Sequence, residues 1–323
     1  MTFTIRAYAD DDFQAAAAAV NACLRADGEP LNWGEAEFRA RLIDPRRKRD
    51  ELLVAEVDGG NVVAYADGFL RGEIYQTRGW VPPAYRGQGI DRALLDRQIE
   101  FARRYAVEQG RPILIGSRIP ETAHENIALL KHCDFQQVRY YFDMKRDLHE
   151  PIPPLEIAAG LRVSTWAERR ADQDVYEAFE EAFEDHWGHG RVPFEAFMHW
   201  LNTDQWQAAN SFIAWDGDQI AGGALNDMGP QADRRWGNNC AWTGVLFVRR
   251  PWRKRGLGRA LLIATMLAAR EMGHTGLKLR VDAENPTGAL RLYEAIGFTR
   301  EFTYVMYQKV MSDPGTARQG KCE

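Results

Sequence analysis

Residues 81–95, VPPAYRGQGIDRALL, and 248–262, VRRPWRKRGLGRALL, align without a gap at seven identical positions, with Val81 and Val248 set 167 residues apart. An internal repeat at that spacing restricts the fold more than composition does, because both copies must build the same local unit. The likeness extends on either side. Upstream, AEVDGGNVVAYA (55–66) and AWDGDQIAGGAL (214–225) each place an Asp-Gly turn between alternating apolar runs, a hairpin pattern. Downstream, ENIALLKHCDF (125–135) corresponds to ENPTGALRLYEAIGF (284–298). Each copy then closes on an aromatic, strand-like run, QQVRYYFDM ending at Met144 and TREFTYVMY containing Met306.

The 323 residues therefore divide into a first unit, 1–150, and a second, 161–311, joined by a Pro-rich stretch within LHEPIPPLEIAAG that sets a linker at 151–160. A polar tail occupies 312–323. Each unit reads as strand, two helices, hairpin, strand, helix, strand, helix and closing strand, an α/β (α+β) pattern. The helix after the repeated phrase carries Leu262, Met266 and Ala269 at i, i+4 and i+7, as the first copy carries Leu95, Ile99 and Ala102. Those stripes face a core and carry no chemistry.

Hydrophobic residues at 45% and charged residues at 27% fit a folded globular chain. A net charge of −5 gives no electrostatic basis for a nucleic-acid or membrane-surface partner. The local run Arg46-Arg47-Lys48-Arg49 reads as a solvated helix end. Cys23, Cys133, Cys240 and Cys322 are scattered without CxxC spacing, which suits a reducing compartment better than a disulfide framework. The apolar run Ala15–Val20 is short and follows Asp10-Asp11-Asp12, unlike a signal peptide or a membrane span. The expectation is a cytoplasmic monomer or homodimer without a metal.

Each repeated phrase leads from an apolar strand through a basic, Gly-bearing turn into a helix. That arrangement aims backbone N–H groups and the positive helix end at an anion. In the second copy Gly256 and Gly258 allow close backbone approach, while Arg253, Lys254, Arg255 and Arg259 supply charge. Neither GxxxxGK[ST] nor GxGxxG is completed, since Leu261 stands where a third glycine is required. The loop is similar to the Arg/Gln-x-x-Gly-x-Gly pyrophosphate loop of the GNAT family of N-acetyltransferases. VLFV (245–248) sits where that family's fourth strand binds pantetheine, and ENPTGALRLYEAIGF resembles its Asn–Tyr–Gly-Phe segment. The resemblance covers nearly the whole chain as two tandem GNAT domains, the layout also found in mycothiol synthase.

The resemblance implies, in each copy, a mixed and mostly antiparallel central sheet flanked by helices, with acetyl-CoA as cosubstrate. Arg253, Lys254, Arg255, Gly256, Leu257, Gly258 and Arg259 would hold the CoA pyrophosphate. Leu246, Phe247 and Val248 would pair with pantetheine, where the fourth and fifth strands splay near Val248 and Val281. Asn285 would hydrogen-bond the pantetheine, and Tyr293 would be the general acid. The acceptor would be a primary amine of a small molecule or peptide: a small amine, an amino sugar, an antibiotic, a peptide N-terminus or a mycothiol precursor. A non-catalytic acyl-CoA sensor is the alternative of a different class.

The two copies differ at two chemical positions. Asp91 replaces Gly258, and Leu130 replaces Tyr293. A carboxylate about 5 Å from a pyrophosphate charge costs roughly 3 kcal/mol at an effective dielectric near 20. The Asn-to-Phe segment of the first copy is also four residues shorter, which predicts a truncated helix. The second copy is therefore the expected catalyst and the first a degenerate, non-catalytic domain. An amine of pKa near 10.4 must lose a proton before attack, and CAWTGVLFV (240–248) holds no carboxylate to take it. His186 and His189 of EDHWGHG are candidate bases, with Asp185, Asp227 and Asp282 as rivals acting through water. Trp187, Trp200, Trp206, Trp236 and Trp242 are candidate pocket walls that equally suit a core.

Overall fold

The structure, a computed structural model, describes residues 2–201, 207–229, 232 and 236–312, and of Trp200 the backbone alone. In chain order the first copy contributes β1 (Phe3–Ala7), α1 (Phe13–Ala26), α2 (Glu35–Leu42), β2 (Leu53–Val57), β3 (Asn61–Arg71), β4 (Ile74–Trp80), α3 (Ile90–Gln109), β5 (Ile113–Pro120), α4 (His124–His132) and β6 (Gln136–Asp147). The second copy repeats this with β7 (Leu161–Thr165), α5 (Asp172–Phe183), α6 (Phe194–Leu201), β8 (Phe212–Asp216), β9 (Gln219–Asp227), β10 (Cys240–Val248), α7 (Leu257–Glu271), β11 (Gly276–Asp282), α8 (Ala289–Ala295) and β12 (Thr299–Met311). The expected order of elements is present twice. Among the described residues no helix is long and apolar enough to cross a membrane.

The compact units follow a different division from the repeats. Unit 1 is Met1–Tyr140 with Tyr304–Glu323, and unit 2 is Tyr141–Thr303. In unit 1 the strand order is β1-β2-β3-β4-β5-β12, and in unit 2 it is β7-β8-β9-β10-β11-β6. The closing strand of each copy thus completes the sheet of the other. β12 runs antiparallel to β5 from Tyr304 opposite Pro120 to Met311 opposite Ile113. β6 runs antiparallel to β11 from Tyr141 opposite Asp282 to Asp147 opposite Gly276. A divide at 151–160 corrects to this exchange. Both closing strands run from an exposed start into consecutive buried residues, Phe142–Met144 in β6 and Thr303–Gln308 in β12, so either fits the same kind of edge and local sequence does not choose between them.

Within each unit the sheet separates two helical layers. In unit 1, Phe13, Val20 and Leu24 of α1 and Phe38 of α2 bury against Tyr65 and Trp80. Leu95, Ile99 and Ala102 of α3 pack on the opposite face with Ile115 and Tyr307. In unit 2, α5 and α6 bury Val175, Phe179 and Phe197 against Trp215 and Phe247. Leu262, Met266 and Ala269 of α7 meet Met144, Leu277 and Tyr293 across the sheet. Both apolar stripes are core, as their spacing requires.

The expected truncated helix is corrected. α4 spans nine residues and α8 seven, so the additional residues of the second copy enlarge the turn before its helix. Pro286 disfavours helix at the residue before it, and Gly288 caps α8 with φ +77°. That wider turn carries Asn285.

Candidate active site

β10 and β11 pair in parallel only from Cys240 opposite Gly276 to Thr243 opposite Leu279. A register shift between Thr243 and Val245 then bends β10, which continues beside β9 alone to Val248. The expected splay therefore exists in unit 2, beginning earlier than Val248. Val245 and Phe247 point into the core under α5, whereas Leu246 and Val248 are half-buried on the α7 side. Past Thr243 the β11-side edge of β10 has no strand partner, and at its end the Val248 carbonyl accepts from Arg253 Nε.

The chain leaves β10 through a short turn, Arg250–Trp252, and reaches α7 with Gly256 as its N-cap at φ +77°. Lys254 also takes a left-handed backbone, φ +61°. For a non-glycine residue that conformation costs about 1–2 kcal/mol, and such strain collects at ligand sites. The alternating backbone directs the N–H groups of Leu257, Gly258 and Arg259, which have no intrahelical acceptor, toward one point beyond the helix end. Gly258 packs close to its neighbours, where a side chain would displace Leu292 by a few tenths of an ångström. A Cβ there would lie 3.3 Å from Leu292 Cδ2 and 3.8 Å from Val248 Cγ2. Lys254 and Arg255 are exposed and Arg259 half-buried at this end.

Arg253 does not face that anion seat. Its Nε donates to the Val248 carbonyl at 3.0 Å, Nη2 to the Ala182 carbonyl at 2.9 Å, and Nη1 to Asp185 at 3.2 Å. Arg86 repeats the arrangement with Val81 at 2.9 Å, Asp27 at 2.9 Å and Glu125 at 3.1 Å. The motif arginine braces the loop in both copies, which leaves Lys254, Arg255 and Arg259 as the other basic residues of the second loop. A phrase repeated in sequence could not distinguish a brace from a ligand.

Tyr293 lies on the inner face of α8, 6% exposed, with the Phe298 ring 5.9 Å away. Its hydroxyl has no protein hydrogen-bond partner among the described residues. Burial raises its pKa above the ordinary phenol value, so the proton stays on through neutral pH. Asn285 and His186, 99 positions apart in the chain, meet with Nδ2 and Nε2 at 3.3 Å. The imidazole packs 4.3 Å from the Phe183 ring. Burial, then Arg253 and His189, push its pKa below the ordinary histidine value.

The other candidate bases fall in distinct surroundings. His189 Nε2 is 3.2 Å from Glu180 Oε2 on α5. Asp185 accepts from Arg250 and Arg253, whose hydrogen bonds lower its pKa to about 2. A carboxylate that acidic is a poor acceptor for an ammonium proton. Asp282 ends β11, with Oδ1 taking the Glu284 N–H at 2.9 Å. Asp227 is fully buried and accepts from Trp236 Nε1 at 2.7 Å. Trp236 stacks on Trp242 with ring centroids 4.2 Å apart, and Trp187 is half-buried. Trp206 and the Trp200 side chain lie outside the described residues.

Sequence reasoning passed over Lys278 and Arg280. Lys278 is 2% exposed, donates to the Trp236 carbonyl at 2.9 Å and pairs with Glu301 at 2.8 Å. Arg280 holds Asp143 through Nε at 2.5 Å and Nη2 at 2.8 Å. With Asp282 they occupy alternate positions of β11 and so share one face. The alternation in LKLRVD was the available signal.

Unit 1 has the same loop backbone, with φ +68° at Gly87 and +92° at Gly89, yet its cleft is filled. A cavity of about 40 Å³ remains, lined by Asp91, Gln98, Asn126 and Leu130 among others, room for about one or two waters. Gln98 of α3 donates to the carbonyls of Asp67 on β3 and Arg78 on β4, at 3.1 and 3.2 Å, which caps the paired β3 and β4 beside the cavity. On the other face Arg41 lies 4.8 Å from Trp33 and 5.1 Å from Trp80 and grips Asp67 at 2.5 and 2.6 Å. The roomy groove beside α5 in unit 2, about 710 Å³, carries Glu177, Glu180, Glu181, Glu184 and Asp218. Its charge is wrong for a pyrophosphate. Among the described residues no cluster of three or more His, Cys, Asp or Glu side chains is disposed to hold a metal.

Known proteins share this architecture. The Acetyltransferase (GNAT) family profile matches residues 20–114 and 173–298. A mycothiol acetyltransferase of Geodermatophilus obscurus is 30% identical over 312 residues, covering 91% of this chain and 94% of its own. That of Thermobispora bispora is 28% identical, with 92% and 96% covered. Among solved structures, a GCN5-related N-acetyltransferase from Sphaerobacter thermophilus superposes with a TM-score of 0.72 at 25% identity, covering 96% of both chains. A tandem GNAT protein from the clavulanic acid biosynthesis pathway shares the fold with a TM-score of 0.69 at 17% identity, covering 96% of this chain and 99% of its own.

Proposed function

The chain belongs to the acetyltransferase (GNAT) family and is an acetyl-CoA-dependent N-acetyltransferase, and we propose that unit 2 alone carries the chemistry, on a primary amine of a small molecule or peptide. The observation that carries this assignment is the difference at two matched positions. Unit 2 joins a buried Tyr293 to a loop opened by Gly258, where unit 1 has Leu130 and Asp91 around a cavity of about 40 Å³.

In this reading the pyrophosphate sits at the N-terminus of α7, on the N–H groups from Leu257 to Arg259 and the charges of Lys254, Arg255 and Arg259. The pantetheine arm runs along the cleft edge of Leu246–Val248, with Asn285 on the facing wall. The acceptor nitrogen attacks the thioester carbon, forming the C–N bond as the C–S bond breaks. Charge developing on the carbonyl oxygen is stabilised by a β10 N–H near Val248. Tyr293 gives its proton to the departing sulfur, and its raised pKa keeps that proton available. Asp282, at the open end of β11, takes the ammonium proton through water, since Asp185 is held near a pKa of 2 by Arg250 and Arg253.

A mycothiol precursor bearing a free amine is the second reading for the acceptor, supported by the names of the relatives. Calorimetry with CoA, followed by thiol release from acetyl-CoA over an amine panel that includes such a precursor, tests both. The expected result is one CoA site per chain and release with at least one amine. Two equal sites reject the single active unit, and binding without release for any amine favours a sensor.

A further inference from the structure

We infer that Asp185 and His186, just beyond α5, form a clasp that fastens both walls of the unit 2 cleft, which makes Arg253 and His186 positioning residues. The inference rests on the reading that acetyl-CoA occupies this cleft. One wall is held by Asp185. Its Oδ2 accepts from Arg253 Nη1 at 3.2 Å and Arg250 Nε at 3.0 Å, and its Oδ1 from Arg250 Nη2 at 2.6 Å. Arg253 also donates to the Ala182 and Val248 carbonyls, so each of its nitrogens points away from the anion seat.

The other wall is held by His186, and the polarity of that contact is fixed. Asn285 Oδ1 accepts from the Thr287 backbone N–H at 2.9 Å and from the Thr287 hydroxyl at 2.6 Å. A backbone N–H only donates, so that atom is the amide oxygen and the amide NH₂ faces His186. An NH₂ group donates as well, so His186 Nε2 accepts at 3.3 Å and the ring proton resides on Nδ1, which is buried without a partner. Protonating Nε2 would set N–H against N–H. The charged groups facing the ring are Arg253, His189, Asp282 and Asp185, and burial with Arg253 outweighs the carboxylates in favour of the neutral form. The lone pair that a base would use is occupied, while the second amide hydrogen of Asn285 remains for the pantetheine. Unit 1 keeps the arginine half alone: Arg86 ties Asp27 and Val81, and reaches α4 itself through Glu125.

The test uses the full chain and three readouts. Nitrogen-15 spectra should show His186 as the Nδ1–H tautomer, titrating below the ordinary histidine range, with its pKa rising when Asn285→Ala removes the donor. Competition binding should show Arg253→Gln and Asp185→Asn weakening CoA and phosphate-free pantetheine by the same factor, with the double variant within about twofold of the worse single one. In turnover, His186→Gln, which can still accept from Asn285, should stay within about threefold of wild type, whereas His186→Phe should lose at least tenfold. A loss in Arg253→Gln confined to CoA overturns the clasp, as does ordinary titration of His186 at 6–7 that ignores Asn285. If wild type binds no CoA, the cofactor reading fails instead, and the spectra still decide the His186–Asn285 contact.

Discussion

Tyr293 and Leu130 occupy corresponding positions, and the burial that makes leucine comfortable in one unit keeps the phenol protonated in the other. Tyr293→Phe removes one hydroxyl and almost no volume, so CoA affinity should change by less than about twofold. General acid catalysis is worth roughly 10²–10⁴-fold, and turnover should fall within that range. Unchanged turnover in steady-state kinetics would mean that the thiolate leaves unaided. A residue far from this site predicts the acid stability of unit 1. Burial acts to raise the Asp44 carboxyl, but Arg46 and Arg47 outweigh it and hold the pKa at about 2. A carboxyl depressed below its unfolded value near 3.9 contributes stability above that value and loses it as pH falls through about 2. Asp44→Asn should therefore lower the melting temperature at pH 7 and leave it nearly unchanged near pH 2.

At the scale of the element, one strand–loop–helix is used twice with one backbone and two outcomes. The left-handed positions fall at Gly87 and Gly89 in one copy and at Lys254 and Gly256 in the other. The difference lies in what fills the space beyond the helix end. Gly258→Asp should place a carboxylate about 5 Å from the pyrophosphate, a cost of roughly 3 kcal/mol that lowers CoA affinity about a hundredfold, read by calorimetry. The reverse change should not create a second site. Asp91→Gly removes the charge, but the space beside it, about 40 Å³, is too little for a pantetheine arm. Stoichiometry should stay at one per chain, and a second CoA in Asp91→Gly would show that charge alone closes unit 1.

The whole molecule is defined by the exchange of its closing strands. Residues 1–150 carry the strand that completes unit 2, and the chain after 160 carries the strand that completes unit 1. Cutting the protein within 151–160 should consequently leave two fragments that co-elute in native size exclusion. Expressed alone, residues 161–311 should be poorly soluble, because β11 then presents an unpaired edge. A monomeric, CoA-binding fragment 161–311 would contradict the exchange. Deleting 304–323 should expose the edge of β5 and raise amide exchange in unit 1 before unit 2.

The sequence by itself determined the local units. Period-two and 3.6-residue patterns, Asp-Gly turns and a Gly-bearing loop are encoded within about a dozen residues, so the repeat, the order of elements and the core stripes of α3 and α7 were legible there. The position of Tyr293 against Leu130 was legible for the same reason, as a matched place in two aligned helices. The tertiary structure alone decided which strand closes which sheet, because both closing strands bring an exposed start and a buried run to the same kind of edge. It also decided that Arg253 braces rather than faces the anion seat, that Asp185 is consumed by two guanidinium groups, and that His186 meets Asn285. Each of these depends on partners dozens of residues away, and a side chain's type states which bonds it can make, while only the packed neighbours state which ones it does.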